Sequence, residues 1–200
     1  MRPELFSIDT AILTTHMVIR RFREGDGEAF FHLIQDNSGY LEDHFPILVE
    51  KIHAQEDGEA FVRKKIAQWL LQEEFTFGIW HNQEAELVGY LHLREVDWHI
   101  PKADISYFLH HAHTGKGLMT EALARMIQYA FRQLQLNKIT LHTLMDNYAS
   151  QRLARKVGFR REGDLRNEFR KPSGGLFDVM AFGLTREESG EEYSSEMVNW

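Results

Sequence analysis

The 200-residue sequence contains no cysteine. That absence excludes disulfides, zinc-thiolate sites, iron–sulfur clusters and a thiol nucleophile, and nothing here depends on an oxidising compartment. No uninterrupted apolar stretch approaches the ~20 residues needed to cross a bilayer. Residues 1–6 lack a basic stretch followed by an apolar run, so no secretory signal is expected. Internal repeats and low-complexity linkers are missing from residues 14–184. What is present is a globular composition: 43% hydrophobic, 12% aromatic and 26% charged residues. The expectation is a soluble, cytoplasmic chain with one domain over residues 1–184. A flexible acidic tail is expected over 185–200, where Gly190 and five glutamates fall.

Excess positive charge is lacking too. The formal balance of −7 argues against general affinity for nucleic acid or for an anionic membrane. The charges are unevenly spread: residues 1–114 hold 10 Lys/Arg against 19 Asp/Glu, and residues 115–171 hold 12 against 5. Such a division suits a cationic substrate on one side and an anionic cofactor on the other. Composition alone favours the plainer reading, two solvated faces that happen to differ.

The apolar pattern predicts elements in irregular alternation. Strands are expected over residues 17–22, 75–81, 87–95 and 103–110, with a polar turn at 82–86. Helices are expected over 26–36 and 57–72, the latter capped by Asp57. Leu118, Ala122, Leu123, Met126, Ile127, Ala130, Phe131 and Leu134 recur at three-and-four spacing and mark one long amphipathic helix. A strand over 138–144, a short helix over 149–157 and strands over 159–166 and 177–184 complete the series. The fold class is α/β, one mixed sheet with helices on both faces.

The chemistry concentrates where the strand ending near Leu109 runs through His110, His111, Ala112, His113 and Thr114 into Gly115–Lys116–Gly117 and the long helix. Glycines there permit a tight turn and close ligand approach. The first helical amides are free, the dipole favours negative charge, and Lys116 adds a cation. The junction suits phosphate or pyrophosphate. It is not a Walker loop, since GxxxxGK[ST] is absent, nor a Rossmann turn, because Thr120 stands at the third glycine position. The histidines at 110, 111 and 113 read as surface residues; neighbouring strand side chains diverge, and no metal is expected.

In this order the residues resemble a GCN5-related N-acetyltransferase (GNAT), of the RimJ/RimL-like branch, over roughly residues 14–184. Leu87–Val88–Gly89 resembles the central hairpin, and Ile105–Ser106–Tyr107–Phe108–Leu109 the strand before the cofactor loop. Gly115–Lys116–Gly117 with Thr120–Glu121–Ala122–Leu123 fits the pyrophosphate loop. Asn147–Tyr148–Ala149–Ser150, Leu153, Lys156, Gly158–Phe159 and Glu162–Gly163 fit the second motif, and Phe177–Asp178–Val179 with Gly183–Leu184 the last strand. Ala112 and Thr114 depart from the Gln or Arg common there, which leaves amide donation intact.

The resemblance implies a single GNAT domain with a mixed, mostly antiparallel twisted sheet of about six or seven strands, splayed in the middle. It implies acetyl-CoA as donor. The amides of Thr114, Gly115, Lys116, Gly117, Leu118 and Met119 would face the pyrophosphate, and Thr120 would belong to the same cofactor-binding segment. The pantetheine would pair with the backbone of Phe108 and Leu109, and the Leu109 N–H would serve the thioester oxygen. Asn147 would hold the cofactor arm. Arg152 and Arg155 would meet another phosphate or simply form a solvated face.

Ser150 resembles the family's acid near the sulfur and equally fits a helix N-cap, with Tyr148 as a second acid. Glu168 lies near the family's glutamate, but direct register puts Phe169 there, so water-mediated deprotonation stays open. Asp178 reads as a structural partner. Residues 36–47 and 170–177 would line the acceptor pocket, with Glu42, Asp43 and His44 near the amine and Tyr40 and Phe45 as walls. The acceptor would be a primary amine: a protein N-terminus, peptide, polyamine or aminoglycoside-like molecule. A homodimer is left open, as is a non-catalytic acyl-CoA sensor on the same fold.

Overall fold

The computed structural model describes residues 2–191; the part of the expected tail at 192–200 lies outside the described residues. Strands β1 (Ala11–Leu13) and β2 (Met17–Arg21) lead into helices α1 (Gly27–Gln35), α2 (Ser38–Leu41), α3 (Pro46–Lys51) and α4 (Gln55–Leu70). Then follow β3 (Phe75–His81), β4 (Leu87–Asp97), β5 (Lys102–Leu109), α5 (Leu118–Arg132), β6 (Lys138–Leu144), α6 (Tyr148–Lys156), β7 (Arg160–Arg170) and β8 (Leu176–Thr185). One sheet of eight strands runs in the order β1-β2-β3-β4-β5-β6-β8-β7. The expected six or seven strands are thus corrected to eight. β1 escapes a sequence reading because three residues carry too little alternation to show a period.

All pairings are antiparallel except β5 with β6. That pairing is also the shortest in the middle of the sheet. It joins Lys102–Lys138, Ala103–Ile139 and Asp104–Thr140 and then stops, although both strands continue. The sheet therefore opens between the C-terminal halves of β5 and β6.

Helix α5 holds the two halves together. Its stripe of Leu118, Ala122, Leu123, Met126, Ile127, Ala130 and Phe131 is buried in a cluster that takes residues from β2 to β6 and from β8. Tyr129 meets Phe77 edge-on at 5.4 Å. On the opposite face, Phe22, Phe30, Leu33, Ile34, Val62, Tyr90 and Phe108 form a second core under α1 and α4. Asp57 caps α4 from inside rather than from before it: its carboxylate accepts the amides of His53 and Ala54 at 3.0 and 2.9 Å. The first residues of the segment expected as tail are built into the domain. Thr185 still belongs to β8, and the buried Arg186 donates to the Leu136 carbonyl at 2.8 Å.

Two carboxylates lie beside β4, Asp104 buried and Glu74 half-buried. Glu74 bridges Lys65 of α4 and His92 of β4. The hydrogen bond from His92, and then Lys65, hold the Glu74 carboxyl down at about 2 against the opposing effect of burial. A carboxyl depressed on folding stabilises above its unfolded value and loses that contribution as pH falls toward its folded one. Glu74→Gln should therefore cost about 1.5–3 kcal/mol near neutral pH. Thermal melts of both proteins should converge as the pH falls from 5 toward 2, and a gap independent of pH would refute this role.

Candidate active site

The gap between β5 and β6 is built by backbone alternation. The His110 amide donates to the Val88 carbonyl at 2.8 Å, so His110 and, two residues back, Phe108 direct their N–H and C=O toward β4. Leu109 and Tyr107 direct theirs the other way, into the gap that β6 has vacated. Leu109 thus has the orientation an oxyanion donor needs. Phe108 does not have the one expected of it: its backbone belongs to the ladder with Tyr90, and its ring packs on Tyr90 and Phe45 at 5.4 and 5.1 Å. The strand edge open to a ligand is that of Tyr107 and Leu109. Gly89 makes room for this arrangement, since a Cβ there would lie 2.6 Å from Leu109 Cδ2.

Beyond Leu109 the chain makes a single turn at His111–His113 and enters the glycine loop. Buried Asn37 anchors it, accepting the His111 amide at 2.7 Å while donating to the Leu33 carbonyl at 2.7 Å. Thr114 turns its hydroxyl back onto the His111 carbonyl. Gly115 and Gly117 have φ of 74° and 82°, and nothing lies within 4 Å of where their side chains would be. Among the described residues, no acceptor meets the amides from Gly115 to Thr120. Leu118 and Met119 bury their side chains, Lys116 is exposed, and Thr120 is half-buried. This open cradle of free amides fits a pyrophosphate.

The hydroxyl groups come from two elements. Asn147 caps α6, its Oδ1 accepting the Ser150 amide at 3.0 Å. Ser150 is thereby relieved of the capping role that its sequence position also allowed. Its Oγ lies 3.1 Å from the Tyr107 hydroxyl, a partner that sequence reading missed. Burial lifts the Tyr107 phenol to about 12, so it stays protonated at neutral pH. Tyr148 is exposed.

Other expected residues stand apart. Glu168 is exposed on edge strand β7, and its side chain makes no hydrogen bond or ion pair among the described residues. It sits in a bulge where the register shifts between Leu165 and Phe169 and Asn167 has φ of 57°. Asp178 pins that bulge by accepting the Asn167 amide at 2.9 Å, the structural role expected of it. Arg152 and Arg155 are both exposed, and Arg155 lies over the Phe182 ring at 5.4 Å.

The two expected acceptor segments do meet. A cavity of about 340 Å³ is lined by Asp43, His44, Asp146, Asn147, Tyr148, Ala149 and Lys171. Lys171 reaches Asp43 at 3.3 Å and Asp146 at 3.9 Å across it. Burial holds the His44 imidazole below its ordinary value, against the pull of Asp43. A second cavity of about 580 Å³ adjoins the glycine loop and includes His113, Lys116 and Gly117. Among the described residues, the side chains with converging donor atoms near this loop are Glu84, Glu86 and His113, within 4.8 Å of one another, rather than the neighbouring histidines.

Residues 16–160 match the acetyltransferase (GNAT) domain family. The "Probable N-acetyltransferase YjcK" of Bacillus subtilis (strain 168) is 30% identical over 146 residues, covering 72% of this chain and 81% of that protein. Among solved structures, Mycobacterium smegmatis RimJ in complex with CoA-disulfide superposes with a TM-score of 0.83 at 24% identity, over 94% of this chain and 91% of that one. RimL, a ribosomal L7/L12 alpha-N-protein acetyltransferase in complex with coenzyme A, gives 0.80 at 21% identity, over 87% and 96%. The chain therefore belongs to the GNAT acetyltransferase family: it is an acetyltransferase enzyme, similar to the RimJ/RimL-like proteins.

Proposed function

We propose that this enzyme takes the acetyl group from acetyl-CoA to a primary amine, a protein N-terminal α-amine or a small-molecule amine, by direct attack on the thioester. The observation that carries this reading is one continuous polar track. It starts at the unpaired Tyr107–Leu109 edge of the gap and ends at the free amides of Gly115 to Thr120, with the Ser150–Tyr107 hydroxyl pair beside it. The coenzyme A complex of RimL supports the same donor.

The donor, when bound, supplies an activated acyl carbon and a thiol leaving group. The loop amides and Lys116 hold its pyrophosphate, and the Tyr107–Leu109 edge pairs with its arm. The Leu109 N–H stabilises negative charge on the carbonyl oxygen. Ser150, hydrogen-bonded to Tyr107, whose phenol stays protonated at neutral pH, delivers a proton to the departing sulfur. A thiol titrates near ~8.5, so this assistance need only be modest. Asp43 and Asp146, facing one cavity with a single lysine between them, favour a cationic acceptor. An α-amine, titrating near ~7.7–8.0 against ~10.4 for lysine, reaches its neutral form more easily.

Free-thiol release from acetyl-CoA, measured against N-terminal peptides, polyamines and aminoglycosides, tests the reading. Acceptor-dependent release is expected, and coenzyme binding with no release for any amine would count against it. Gly117→Glu should abolish calorimetric coenzyme A binding by placing a carboxylate in the cradle; unchanged affinity would remove the pyrophosphate site. Ser150→Ala should lower kcat about 100-fold with little change in coenzyme affinity. An unaltered kcat would leave Ser150 without a chemical role.

A further inference from the structure

The acceptor must lose a proton before it attacks, and Glu168, exposed in its bulge, offers no built environment for that task. We propose that His142, oriented by Asp104 at the closed end of the β5–β6 gap, accepts the proton of the acceptor ammonium. The inference rests on the acetyl-transfer reading above and adds its base.

Four observations place it. His142 stands two residues beyond Thr140, the last position of β6 paired with β5, and so lies inside the gap. Its Nδ1 is 2.8 Å from Asp104 Oδ2, which makes Nδ1–H the donor and leaves Nε2 as the nitrogen with a lone pair. Nε2 has no partner among the described residues, and the side chain is 32% exposed, so a ligand in the gap can reach it. Asp104 itself is 3% exposed and saturated. Arg94 Nε and the Thr140 hydroxyl donate to it at 2.9 and 3.1 Å, besides the imidazole. The carboxylate is therefore a positioning residue, and the imidazole is the group able to take a proton.

The sheet also separates this base from the acid. Asp104 and Tyr107 are three residues apart on β5, so they face opposite sides of the sheet. Phe108 shares the Asp104 side, and Phe45, next in the chain to His44 of the acceptor cavity, packs on Phe108. The amine enters on the His142 side, and the sulfur departs toward the Ser150–Tyr107 pair. The accounts balance: one ammonium proton goes to Nε2 and on to water. The nitrogen lone pair forms the C–N bond as the C–S bond breaks. The second nitrogen-bound proton is lost as the thiolate gains one through Ser150.

The groups facing the imidazole are Asp104, Arg94 and Glu95; its hydrogen bond to Asp104 raises its titration above the ordinary value, outweighing burial and Arg94. Turnover should thus rise with pH through that raised value. His142→Gln should cut kcat about 100-fold, leave acetyl-CoA affinity unchanged and erase this limb. Asp104→Asn should move the limb to lower pH, which a purely structural role would not do. Acceptors with different amine basicities separate the limb from titration of the substrate, because a histidine limb stays where it is. A His142→Gln enzyme that keeps its rate and its limb, or loses coenzyme affinity along with rate, would overturn the proposal while leaving acetyl transfer intact. Ring-nitrogen NMR of His142 decides independently of turnover. An Nδ1–H tautomer titrating above the ordinary imidazole value, and lower in Asp104→Asn, is expected; an Nε2–H tautomer titrating ordinarily would refute it.

Discussion

The parting of β5 from β6 after three paired positions is the constraint on which the rest depends. A parallel pair in mid-sheet would ordinarily continue, because each buried backbone group left unpaired costs about 1–3 kcal/mol. Here the pairing ends at Asp104, whose buried carboxylate gathers Arg94 from β4 and Thr140 and His142 from β6. Three strands are stitched at one charged point, and past it the backbone is free to diverge. Helix α5 makes the divergence affordable. Its apolar stripe packs on residues from both sides of the opening, so the sheet loses hydrogen bonds without losing its core.

Once the strands part, the polar groups of the site acquire their directions together. Alternation along β5 sends the Leu109 and Tyr107 backbone into the gap and returns Phe108 and His110 to β4. The same strand then aims the glycine loop, and Asn37 of the α1–α2 turn fixes that loop from the opposite layer. Asn147 caps α6 and so frees the Ser150 hydroxyl to meet Tyr107. None of these groups is adjacent in sequence to its partner, and each is positioned by backbone geometry that the others share.

This explains what the sequence disclosed and what it withheld. The stripe of α5, the strands of the central hairpin and the Gly115–Gly117 entry are local patterns, and they were readable because period and turn chemistry act over a few residues. Asn37 with His111, Asp104 with His142, and Tyr107 with Ser150 are 74, 38 and 43 residues apart. Periodicity carries no information on such pairs. The displacement of Phe108 from the ligand edge needed the hydrogen-bond phase of β4 and β5, which alternation of apolar residues does not specify. The surroundings of Glu168 were hidden for a related reason: a bulge changes the count of residues between two strands, and Asn167 in the left-handed region gave no advance signal.

The two paired carboxylates beside β4, Glu74 half-buried and Asp104 buried, show how little composition decides by itself. Each joins one histidine and one cation: Glu74 holds His92 and Lys65, and Asp104 holds His142 and Arg94. The histidines nevertheless shift in opposite directions. His92 lies deep under α4, where burial outweighs its carboxylate and holds the imidazole below its ordinary value, so it remains a neutral donor. His142 stands where the sheet has opened; its imidazole is only half-buried, and the hydrogen bond to the carboxylate prevails over burial. The same three kinds of side chain therefore make a structural brace in the closed sheet and a basic imidazole at the edge of the gap. What distinguishes them is exposure, and exposure at His142 follows from the strand separation that also admits the ligand.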